Sequence, residues 1–126
     1  MNKLQNTTIR KGEMMIYDSS FDQLRLNMLA EQYLKGSVIE GSVIFSGEPH
    51  QDYIDHATPK FTDADYTFLK DAGFMLDLIE LLHILSNYRG EYTLPNSRQG
   101  VVYVSDGALS IEWLSLESIE ALRAAE

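Results

Sequence analysis

The residues predict an α+β fold: a small antiparallel or mixed sheet with a C-terminal β-hairpin, packed against three to four helices. Three observations carry that prediction. Val101–Ser105 and Ala108–Trp113 flank Asp106-Gly107, a dipeptide suited to the positive φ angles of a two-residue type I′ turn, so the two arms form a hairpin. Phe74 to Tyr88 is apolar over most of its circumference at helical period, which marks a helix buried on most sides, either in the core or at an oligomer interface. Helical and β-branched segments alternate without an internal repeat or a linker, an order that fits a sheet covered on at least one face by helices.

The elements follow in chain order. Residues 1–13 are polar and read as a flexible or non-native N-terminal extension, with translation starting at Met14 or Met15; the rival reading is a first strand, Thr8 to Tyr17. A helix follows from Phe21 to Lys35, with Ser20 as its cap, Gln23 as the reciprocal partner and Gly36 as a left-handed stop. Phe21, Leu24 and Met28 share one of its faces, and Leu26, Ala30 and Tyr33 another, so it meets more than one neighbour. Ser37 to Phe45 is β-branched and reads as strand, with Glu40-Gly41 either a tight turn between two arms or a bulge. Residues 48–61, with Pro49 and Pro59, read as loop.

Thr62 caps a second helix, in which Asp63 and Asp65 suit the positive end of the helix dipole; Gly73 ends or kinks it. The Phe74–Tyr88 helix comes next, then a loop to Gln99 with a short strand at Glu91 to Leu94. In the hairpin, Leu109, Ile111 and Trp113 alternate with Ser110 and Glu112, and the more apolar first arm is placed centrally in the sheet. Ser115 caps a last helix, Leu116 to Ala125, with Ile119 and Leu122 inward.

A chain of 126 residues fits a single globular domain, 1–126, large enough to bury a core without staples. It contains no cysteine, which excludes disulfides, thiolate metal sites and cysteine nucleophiles. The N-terminus lacks the apolar core of a signal peptide and no apolar stretch is long enough to span a bilayer, so the reading is cytoplasmic, with no membrane partner. The net charge of −9 repels phosphate backbones and argues against direct nucleic-acid binding. Residues 48–80 carry Glu48, Asp52, Asp55, Asp63, Asp65, Asp71, Asp77 and Glu80 against Lys60 and Lys70, so most of the imbalance lies in the middle of the chain.

No Gly-x-Ser-x-Gly turn, Walker loop or dinucleotide fingerprint is present, and the catalytic residues are unassigned, with the balance against an enzyme and no cofactor called for. Tyr53, Phe61, Tyr66, Phe68 and Phe74 are interleaved with the carboxylates of the middle segment. Aromatic anchors ringed by negative charge suit a basic protein surface. The first reading is therefore a protein-binding module, of the inhibitor or immunity type, blocking a basic partner through Asp52, Asp55, Asp63, Asp65, Tyr66 and Asp71. A second is a metal site: His50, Asp52 and His56 in the loop, joined by Glu80 and His83, whose Glu-x-x-His spacing puts both on one helix face. A third is a homo-oligomer joined through the Phe74–Tyr88 helix.

Overall fold

A computed structural model describes residues 18, 20–47 and 54–125. Among these, the elements in order are α1 (Ser20–Tyr33), β1 (Gly41–Ser46), β2 (His56–Lys60), α2 (Asp63–Ala72), α3 (Phe74–Glu91), β3 (Gln99–Ser105), β4 (Ala108–Trp113) and α4 (Leu116–Ala124). The strands form one sheet in the order β2-β1-β3-β4, with every neighbouring pair antiparallel. The α+β class and the C-terminal hairpin are as the residues predict. Asp106 and Gly107 sit at φ 54° and 77°, and the apolar arm β3 lies inside the sheet.

Period-two alternation divides the sheet into two faces. On the inner face, Pro59, Val43, Val102 and Ile111 stand in one cross-strand row, and Ala57, Phe45, Gly100 and Trp113 in the next. Leu26, Leu29 and Leu34 of the α1 segment and Phe74, Leu78 and Leu82 of α3 close over it to form the main core. Each such side chain contributes about 1.5–3 kcal/mol by leaving water. Gly100 makes room for the Trp113 ring to meet Phe45 edge-on at 5.4 Å; a Cβ on Gly100 would lie 2.3 Å from the Glu112 carbonyl oxygen. On the outer face, α4 contributes Ile119 to a small cluster with Ile44 and Val101. Among the described residues, no helix is long and apolar enough to cross a membrane.

Several local expectations are corrected. The strand predicted over Ser37–Phe45 begins only at Gly41, so Glu40-Gly41 is neither a turn nor a bulge. Ser37 Oγ accepts from Ile39 N–H (3.0 Å) in a local turn, and the Phe61 ring lies directly over Gly41, filling the place of a side chain. Glu40 turns away to the hairpin, where its Oε2 accepts from Ser105 Oγ and Asp106 N–H. Residues 56–60, read as loop, form β2. Pro59 is tolerated there because β2 is an edge strand.

The short strand expected at Glu91–Leu94 is instead the end of α3 and its turn, in which Tyr92 and Leu94 N–H groups return to the Arg89 carbonyl. The capping box at Ser20 is replaced by Asp18, whose Oδ1 accepts from Ser20 N–H and Oγ–H. Those bonds hold the Asp18 carboxyl below its ordinary value. Gln23 reaches away, donating to the Leu109 carbonyl on the edge strand β4 (2.9 Å). Leu24 and Met28 face solvent, and Leu122 is 41% exposed. The possible strand Thr8–Tyr17 and the start at Met14 or Met15 lie outside the described residues.

Candidate functional site

The acidic middle segment becomes, from residue 56 onward, an edge strand followed by a helix-turn-helix. Thr62 starts α2 as expected: its Oγ1 accepts from Asp65 N–H at 3.1 Å. Gly73, at φ 98°, ends α2 in the left-handed conformation and lets α3 begin at once. The corner is fixed from below by α1. The Tyr33 hydroxyl donates to Asp77 Oδ2 in the first turn of α3 in a short hydrogen bond, and its ring packs edge-on against Phe74 at 5.7 Å. Asp77 thus serves the fold. The hydrogen bond to its carboxylate, reinforced by desolvation, pushes the Tyr33 hydroxyl above its ordinary value.

On this footing α2 presents two different faces. Leu69 is fully buried and Tyr66 packs partly buried against the core. Phe68 points the other way and is 60% exposed. Its neighbours at three and four residues along the helix are Asp65 and Asp71, and Ala64 and Ala72. The two alanines are too small to shield the ring, so Phe68 stands proud between two carboxylates, with exposed Asp63 at the helix start.

Of the residues predicted to bind a partner, Asp63, Asp65 and Asp71 all lie on α2, with Asp65 and Asp71 on the side of Phe68. Tyr66 turns inward, and Phe68 takes its place as the exposed aromatic. Position along the helix could have separated them, because Tyr66 and Leu69 share the inward stripe and Phe68 falls opposite it. Asp55 lies apart, just before β2, where its Oδ1 accepts from His56 Nδ1–H at 2.9 Å. Asp52 and His50 lie outside the described residues.

Among the described residues no three His, Asp or Glu side chains converge as a metal site; His50 and Asp52 of the expected constellation lie outside them. His83 Nε2 donates to the Ile54 carbonyl at 3.3 Å, which places its proton on that nitrogen, and His56 is held by Asp55. Glu80, on the same helix as His83, faces solvent.

The Phe74–Tyr88 segment, expected to be buried on most sides, buries Phe74, Met75, Leu78, Leu82 and Leu85 but leaves Leu76 and Ile84 exposed. Ile84 and Leu81 border a shallow groove of about 280 Å³ shared with Arg25 and Met28 of α1. No family model, curated protein or solved structure matches this chain, so its own residues carry the functional argument.

Proposed function

We propose that the protein is a small acidic binding module that docks on a basic surface of another protein through the outer face of α2. The observation that carries this reading is Phe68, 60% exposed and set between Asp65 and Asp71. An exposed ring has no role in the core. Aromatic side chains are enriched in the buried centres of interfaces, and a rim of one charge steers a partner of the opposite charge and rejects others. The specific form of the reading is an inhibitor or immunity-type protein that covers a basic active surface.

The test is capture from a lysate of the source organism at low and high salt, using the wild-type chain, Phe68→Ala and Asp65→Asn/Asp71→Asn. The reading predicts a basic protein held at low salt and released by salt. It also predicts about thirtyfold weaker retention by Phe68→Ala, the effect of losing a central anchor of about 2 kcal/mol. Retention that ignores both salt and these substitutions refutes it.

A second reading, self-association through α1 and α3, is favoured by the exposure of Leu24, Met28 and Ile84 on neighbouring helices. Light scattering across a concentration series separates the two: a dimer weakened by Met28→Glu but not by Phe68→Ala supports the second.

A further inference from the structure

A separate cavity of about 220 Å³ opens where β1 ends, β2 begins and α4 crosses them; Ser46, His56 and Arg123 line it with Asp55, Glu120 and Leu116. Ser46 and His56 are cross-strand partners. Ser46 is 6% exposed, a buried polar residue at the end of a strand. Arg123, from the last turn of α4, reaches back to it: Nη1 donates to Ser46 Oγ at 3.0 Å.

Counting donors and acceptors exposes an imbalance. Ser46 Oγ accepts that bond, and no acceptor for its own O–H is found among the described residues. Among the described residues, buried Arg123 Nη2 has no hydrogen-bond partner, and no carboxylate comes within ion-pair distance of the guanidinium. A guanidinium cannot shed its proton to escape the problem. A buried N–H left without an acceptor is destabilising, and more so on a charged group. Ser46 and Arg123 therefore bring two donors, one of them cationic, to a cavity whose lining also holds Asp55 and Glu120, neither of which pairs with the guanidinium.

We infer that this cavity binds a small molecule through an oxyanion, a carboxylate or a phosphate group, gripped by Arg123 and the Ser46 hydroxyl. Guanidinium N–H groups match such oxygens in charge and in fork geometry. His56 Nδ1 is held by Asp55, so its Nε2 adds a further donor at the mouth only when the ring is protonated. The volume exceeds that of a bare ion, since a water molecule occupies about 30 Å³. A few carbons fit beside the headgroup against Leu116. The chain's charge of −9 opposes anions at a distance, but screening beyond about 8 Å at physiological salt leaves the local groups to decide, Arg123 and Ser46 against Asp55 and Glu120. The competing acceptor is Glu120, one turn before Arg123 on α4, which would satisfy the guanidinium from within by swinging over.

The test is an amide-resolved NMR titration of the full chain with inorganic phosphate and, separately, with acetate. Both are run at fixed pH and at ionic strength held constant with chloride. The proposal predicts saturable shifts at Ser46, Gly47 and the last turn of α4 with at least one of the two, and the tighter binder names the headgroup. Arg123→Gln weakens binding at least tenfold, Arg123→Lys gives an intermediate loss, and Glu120→Gln tightens it by removing the rival acceptor. Amide dispersion elsewhere in each variant confirms that it is folded. The proposal is overturned if neither anion gives saturable shifts, if chloride alone reproduces them, or if the folded Arg123 variants bind as the wild type does.

Discussion

Gly100 shows how one residue sets the inner face. With hydrogen in place of Cβ, β3 lets Phe45 and Trp113 meet across it. Gly100→Ala would place a methyl 2.3 Å from a backbone oxygen and 3.1 Å from Phe45 Cζ, so strand or ring must move. Overpacking of this kind costs about 1–3 kcal/mol, read as a lower midpoint in urea denaturation with an unchanged slope. Tyr33 makes a pH-dependent contribution. Its hydroxyl holds its proton above the ordinary value of 10.0, chiefly through the hydrogen bond to Asp77. The folded state therefore binds that proton more tightly than the unfolded chain does. The resulting stability is full below about pH 10 and is lost as pH rises through the folded-state value. Thermal melts of wild type and Tyr33→Phe from pH 8 to 11 should converge at the alkaline end; a constant difference would contradict this. Neither role was legible in the sequence, because both depend on residues distant in the chain: Phe45 and Glu112 for Gly100, Asp77 for Tyr33.

Among the elements, those with local signals were legible and those made by pairing were not. Asp106-Gly107, Thr62, Ser115 and Gly73 each act within a few residues of themselves, and the hairpin, the starts of α2 and α4 and the end of α2 appear where they place them. β2 was missed because His56–Lys60 carries no strand pattern of its own; it exists by its register with β1. The extent of β1 was overestimated because Val38 is β-branched, yet it has no partner strand and is 87% exposed. For α2 the cap is the sensitive point. Thr62→Ala removes the acceptor for Asp65 N–H and should cost about 1 kcal/mol, a fall in melting temperature of roughly 3–5 °C. No loss would mean that α2 is held by Leu69 and the core alone. The helix α1 is tied to β4 by side chains rather than by apolar contact only. Trp113 Nε1–H donates to the buried carboxylate of Asp22 at 3.0 Å, and Gln23 takes up a carbonyl of the edge strand. Its polar inward residue explains why α1 shows no clean apolar stripe.

For the whole molecule, charge and exposure carry the functional reading. Composition located the acidic middle segment, and helical spacing separates Phe68 from the inward stripe of Tyr66 and Leu69 on α2. Folding resolves the segment into different roles. Asp77 braces the α1–α3 corner and Asp55 orients His56, while Asp65 and Asp71 flank Phe68 and Asp63 is exposed at the start of α2. The cavity at Arg123 was hidden in the sequence, because Ser46, His56 and Arg123 are brought together only by β1–β2 pairing and the crossing of α4.

The central claim is that a partner seats on Phe68, and it is tested most directly by site-specific photocrosslinking in living cells. A benzoylphenylalanine replaces Phe68 in one chain and Val38, the more exposed apolar residue, in another. The account predicts a single basic protein crosslinked from position 68 and absent from position 38. No crosslink from 68, or the same products from both positions, would contradict it.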